Sequence, residues 1–197
     1  MKNSAKVLMV LMVVMASFST QAQIFGVRGG IGLANITSPD PGDDALFGRA
    51  LGVKIGGTIE FDLTDDFYLG SGLGFAKKGA SSAAGNFNLF YLDLPVGARY
   101  EFFEVGGSGY FFATAGLNVG VLVSANLAGE RLEIGNTAGN NFKSLDLGFH
   151  TGVGIIFNDS FEVGIGTEFG LFDISTTNTS NLKNLMLLAT FGYKFGQ

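Results

Sequence analysis

The chain has 197 residues with no Cys, no Trp, one His, 31 Gly and 20 Phe, and its formal net charge is -5. Without cysteine there is no disulfide framework, thiolate metal site, thiol nucleophile or lipid-modified N-terminal Cys, and a single histidine leaves little for zinc. An acidic chain has no basic excess to neutralise a phosphate backbone, so no nucleic-acid partner is expected, and the 47% hydrophobic content excludes a disordered polar tail.

Lys2 and Lys6 precede an apolar run from Val7 to Met15, and the approach Thr20-Gln21-Ala22 follows. This is the layout of a secretory signal, and the run is too short for a spanning helix. The expected boundaries are a signal peptide over 1–22, cut after Ala22, and one barrel domain over 23–197. Loss of the two lysines takes the exported chain from -5 to -7.

From residue 23 onward a period of two replaces any helical repeat. Strands are predicted over 24–36, 48–63, 67–78, 88–102, 110–126, 144–157, 161–174 and 184–195, which makes the fold class all-β. The connections at 64–66, 103–109 and 158–160 are short. The other four are longer and polar, so four surface loops are expected at one end. The Gly- and Asn-rich stretch 127–143 is expected to be mobile and exposed. Short turns at one end and long loops at the other suit an eight-stranded antiparallel up-and-down transmembrane barrel.

The two faces of each strand decide the environment. In the second strand Leu51, Val53, Ile55, Ile59 and Phe61 alternate with Lys54, Thr58, Glu60 and Asp62. Across all the strands the apolar face carries only Arg49 and Lys77 as charges, both beside the long loops. The other face holds most of the glycines with Arg28, Lys54, Glu60, Asp93, Arg99, Glu101, His150, Glu162, Glu168 and Lys194. A soluble barrel would turn the apolar face inward around a core. Here the charged face must be the inner one, because a Lys or Arg at mid-membrane costs about 2 to 4 kcal/mol on the lipid face of such a barrel. Phe25, Phe61, Phe67, Phe102, Phe111, Phe157, Phe161 and Phe195 fall on the outer face at the short-turn end of successive strands. That register is expected of an aromatic girdle.

An eight-stranded lumen is only wide enough for side chains to fill. Arg28, Lys54, Lys78, Arg99 and Lys194 are therefore expected to pair with Glu60, Asp93, Glu101, Glu162 and Glu168 as a plug, since unpaired buried charge is costly. Pro95 lacks a ladder donor and is expected to mark a bulge, with Tyr91, Asp93 and Pro95 all facing inward.

Several residues invite a chemical reading. His150 faces inward, but its neighbouring hydroxyl, Thr151, lies on the opposite face, so no nucleophile and base are positioned together. Glu162 with Glu168, or Glu60 with Asp62, have no feature that singles them out as an acid and base. Gly70, Gly72 and Gly74 lack the spacing and following helix of a phosphate loop. Asp40, Asp43 and Asp44 around Pro41 and Gly42 do not match a calcium loop and are expected to form a solvated acidic loop. No catalytic, cofactor-binding or metal-binding residue is assigned, no cofactor is expected, and an enzyme is not expected.

The opening Phe25-Gly26-Val27-Arg28-Gly29-Gly30, the element Tyr91-Leu92-Asp93-Leu94-Pro95, Asp146-Leu147-Gly148 with Gly152 and Gly154, and the ending Phe191-Gly192-Tyr193-Lys194-Phe195 resemble the PorT-like family of small outer-membrane β-barrels. Asp93 stands where that family usually has Glu. In size and architecture the chain is similar to the OmpX and OmpA barrels. The resemblance implies the outer membrane of a Gram-negative cell and contact with outer-membrane lipid. The alternation Phe191, Tyr193, Phe195 implies recognition by the barrel-insertion machinery. The expected role is a non-enzymatic barrel with a filled lumen, whose loops serve envelope maintenance or bind extracellular or envelope proteins. A narrow channel for ions or small solutes, or an accessory part of a secretion machine, are the alternatives.

Overall fold

The computed structural model describes residues 23–137, 139–177 and 181–195, so the expected signal segment 1–22 lies outside the described residues. The alternating segments fold as β1 (Gln23–Thr37), β2 (Ala50–Thr64), β3 (Phe67–Ser82), β4 (Gly85–Val105), β5 (Gly109–Leu127), β6 (Glu130–Arg131), β7 (Leu145–Phe157), β8 (Phe161–Gly170) and β9 (Lys183–Phe195). One helical turn, α1 (Pro41–Asp44), follows β1.

Apart from the short β6, which pairs only with β5, each strand lies antiparallel to its neighbours in order. β1 also pairs with β9, from Phe25 opposite Phe195 to Thr37 opposite Lys183. The sheet is therefore a closed up-and-down ring of eight staves. Closure gives every stave two partners, which hydrocarbon requires because it offers no hydrogen bonds to a free edge.

The face assignment holds on each stave. Ile55 is 62% exposed on the outside while the next residue but four on the same strand, Glu60 of the inner set, is 5% exposed. Leu73, Phe75, Val153, Ile165 and Phe191 are likewise exposed on the outer wall. At the short-turn end Phe25, Phe67, Phe102, Phe111, Phe157, Phe161 and Phe195 are exposed, and Phe61 is half-buried. Tyr100 and Tyr193 join them, with Tyr193 packed between Phe161 and Phe195 at ring separations of 4.8 and 5.2 Å.

The expected contour of the loop end needs three corrections. The connection after β3 is not long: both strands run on past the expected ends and only residues 83–84 separate them. The stretch 127–143 is not a loose loop. β5 and β6 form a hairpin over Ala128 and Gly129, both in the left-handed region at φ 51° and 96°, and Phe142 is buried. β8 stops at Gly170 because the N–H groups of Leu171 and Phe172 both donate to the Leu147 carbonyl, at 2.7 and 3.2 Å, and turn the chain inward.

The bulge expected at Pro95 is displaced. Pro95 pairs with Asn118 in unbroken register, and on the β3 side the ladder skips two pairs around it without a shift of register, while Ser71 Oγ donates to the Pro95 carbonyl at 3.0 Å. The slip occurs between Phe90 and Tyr91. It shifts the parity of β5, so that Leu122 and Ala125 both face inward.

Candidate functional site in the lumen

The inner face builds two layers of charge, one above the other. Nearer the short turns, β1, β2, β4, β8 and β9 bring Arg28, Glu60, Arg99, Glu101, Glu162 and Lys194 together. Arg28 pairs with Glu162 and, at 3.2 Å, with Glu60. Arg99 reaches Glu162 at 2.6 Å and Glu101 at 3.0 Å, and Lys194 reaches Glu60 at 2.7 Å. The Arg99 guanidinium also lies 3.8 Å from the Phe112 ring centre. Three basic and three acidic groups balance.

Nearer the loops, Lys54 pairs with Asp93 at 2.6 Å and Glu168 at 3.0 Å. Lys78 pairs with Glu168 and, at 3.2 Å, with Asp146. Amides complete this layer. Asn118 accepts from Lys54 and donates to Glu168, both at 3.1 Å, while Asn184 donates to Asp146 at 2.8 Å and to the Tyr91 hydroxyl at 3.1 Å. All five expected cations and all five expected carboxylates are thus engaged. Asp146, Asn118 and Asn184 are the members that sequence reasoning missed. Their inward parity was visible, but a search for charge passes over the two amides, while Asp146 was legible as an inward carboxylate and only its place in the pairing was missed.

The glycines make room for these side chains. A Cβ at position 192 would stand 2.5 Å from the Glu162 carboxylate, and one at position 120 would stand 3.0 Å from the Tyr91 ring and 3.1 Å from Asp93. His150 depends on the same device: its ring lies against the backbone where Gly97 and Gly116 face each other across β4 and β5.

Above the upper layer the mouth is closed by an apolar cap. Ile36, Ala80, Leu89, Leu122 and Ala125 from the staves pack with Phe142 and Ile174 from two connections, and Phe47 and Leu182 cover them. Phe87 stacks edgewise between Phe47 and Phe142 at 5.9 and 6.0 Å. Asp173 fastens the cap. Its carboxylate accepts from Lys143 Nζ at 2.7 Å and from the N–H groups of Ser175 and Leu182, each at 2.9 Å. Partial burial works to raise the Asp173 carboxyl, but the hydrogen bonds from Lys143, Ser175 and Leu182 outweigh it and hold it below its ordinary value. A lowered carboxyl adds stability above its free value, about 3.9, and loses it as pH falls through the bound value. Hydrogen exchange at the Ser175 and Leu182 amides is therefore expected to lose protection, beyond the intrinsic pH effect, only below about pH 4. Asp173→Asn should weaken it at neutral pH and remove that transition; protection unchanged down to pH 2 to 3 would contradict the clasp.

The remaining sequence candidates separate in space. Glu162 and Glu168 belong to different layers, and Asp62 is only half-buried near the turns. Thr151 points outward and its hydroxyl donates to the Thr114 carbonyl at 3.1 Å, whereas neither ring nitrogen of His150 has a hydrogen bond among the described residues. Gly70, Gly72 and Gly74 lie on the inner face of β3. Asp40 caps α1 by accepting from the Gly42 N–H at 2.9 Å, and Asp44 accepts from the Ser38 N–H at 3.1 Å. Among the described residues no group of His, Cys, Asp or Glu is arranged to hold a metal ion.

Residues 20–176 match the family described as outer membrane protein beta-barrel domain. The chain belongs to that family. Its barrel is an outer-membrane structure, and solved structures bear out the fold. The crystal structure of Neisserial surface protein A is similar over 87% of this chain and 97% of that one, at 16% identity and a TM-score of 0.53. The outer membrane enzyme PagL is similar over 87% of this chain and 98% of that one, at 14% identity and a TM-score of 0.52. A sequence search of curated proteins finds no match.

Proposed function

We propose that this outer-membrane barrel does not conduct and is not an enzyme, and that it presents a folded cap at the cell surface for envelope maintenance or for binding an extracellular or envelope protein. The observation that carries the reading is the obstruction of one lumen at three heights, by two ion-pair layers and an apolar cap. Since PagL shares the architecture and is an enzyme, the fold alone does not decide the chemistry. The support for a non-enzymatic role is local: the sole histidine has no hydroxyl hydrogen-bonded to it. The PorT-like resemblance is the finer family assignment we favour, with residues 1–22 as a cleaved export signal, insertion by the barrel-insertion machinery, and no nucleic-acid partner.

Planar-bilayer recording on the purified protein tests this reading. No steady single-channel level is expected. A stable open state would replace it with the narrow-channel reading, which the space remaining between the two ion layers favours as the second choice.

A further inference from the structure

The lumen is obstructed without being filled. Between the layers lies a chamber of about 140 Å³, walled chiefly by Gly56, Gly74, Gly166, Pro95, Phe112 and Leu188. Eight-stranded lumens are ordinarily packed with side chains, so the open volume needs a reason. Crowding accounts for glycine at positions 120 and 192 but not at 166. A Cβ there would meet nothing nearer than the Thr151 carbonyl at 3.5 Å and Thr190 Cγ2 at 3.8 Å, which is ordinary contact. The chain leaves space where a side chain would fit.

The lining specifies what suits that space. The charged groups on it are Arg28, Lys54, Asp93 and Glu168, and each is already committed to an ion pair. A bound anion would have to take Arg28 or Lys54 from its carboxylate and leave that carboxylate buried and uncompensated. An uncharged molecule leaves both layers intact. Most of the wall is apolar, and the polar groups left over include the His150 ring and the hydroxyls of Thr58, Thr114, Thr167 and Thr190, which make no side-chain hydrogen bond among the described residues. The volume is close to that of the apolar cavities, about 150 Å³, that take up benzene in other proteins.

We propose that the chamber is a binding site for a small uncharged molecule of about monocyclic-aromatic size, apolar over most of its surface and carrying one hydrogen-bonding group directed at His150 or the threonines. This goes beyond the closed-lumen reading: it assigns the space between the layers, not the obstruction itself.

Phenol, benzene and benzoate are the probes, titrated into the full barrel domain in detergent micelles and followed by NMR at the His150 ring and the Gly166 amide. Phenol should bind saturably, benzene more weakly, and benzoate not at all. Gly166→Leu, which fills the chamber from β8, should weaken phenol binding at least tenfold, and Leu188→Phe from β9 should do the same should the first variant fail to fold. Both variants in the same micelles also correct for probe dissolved in detergent. His150→Leu should bring phenol down to the affinity of benzene while benzene binding persists. No saturable phenol shift at millimolar concentration overturns the site. Benzoate binding as tightly as phenol overturns the uncharged class, and undiminished binding in both filled variants overturns the location. The bilayer result is separate: conductance with phenol binding intact sinks the closed-lumen reading alone, and a silent bilayer without phenol binding sinks the chamber alone.

Discussion

Ile55→Arg is expected to destabilise the inserted barrel by about 2 to 4 kcal/mol, the cost of an arginine near the bilayer midplane on the outside of such a wall. Ile55 stands near the middle of the β2 apolar row, which runs from Leu51 to the girdle residue Phe61, and its side chain is exposed with only lipid to meet. Leu46→Arg is the control, since Leu46 is as exposed, at 63%, but lies in the connection after α1, beyond the strands. Urea or heat titration of the protein in lipid vesicles, read by the gel shift between folded and boiled forms, measures both. The outer-wall assignment fails if the two variants lose stability equally.

Arg99→Met is expected to cost about 3 to 5 kcal/mol, the usual effect of removing one partner from a buried ion pair. Arg99 is the hub of the lower layer: it holds Glu101 at 3.0 Å and shares Glu162 with Arg28. With the guanidinium gone, Glu101 has no other basic partner within ion-pair distance among the described residues, while Glu162 keeps Arg28. The penalty is therefore assigned mainly to Glu101. Adding Glu101→Gln should recover most of the loss, because a neutral amide needs no counter-charge. The same vesicle titration decides this, and a double variant no more stable than Arg99→Met would show that Arg99 acts through Phe112 packing instead.

These outcomes depend on features of different legibility. The outer wall was readable from spacing alone, because a period of two puts Leu51, Val53 and Ile55 on one side whatever the ring does around them. The same spacing placed every lumenal charge on the inner side. It could not say which charges meet. Lys78 and Glu168 lie 90 positions apart and are joined only by the diameter of the ring, and Arg28 with Glu162 are 134 apart. The chamber escaped for a related reason: inward glycines look alike in sequence, yet Gly192 yields to a carboxylate and Gly166 faces open space. At the loop end, alternation gives way to polar composition, which suggested mobility over 127–143. Phe142 and Ile174 were the sparse apolar signal there, and their burial depends on three separate connections meeting over one mouth. The slip at Phe90 and Tyr91 left no trace, since Val121, Leu122 and Val123 still alternate and only the residues beyond them, Ser124 and Ala125, change sides.

The seam between β1 and β9 joins the earliest and latest parts of the described chain. Whatever portion of the polypeptide has emerged, β1 lacks its second neighbour until Phe195 is in place opposite Phe25. A partly made chain would carry two unsatisfied borders into an environment that cannot tolerate one. The presence of β9 is thus built in as a prerequisite for residence in the bilayer, and a chain lacking it would keep two open margins that lipid cannot satisfy.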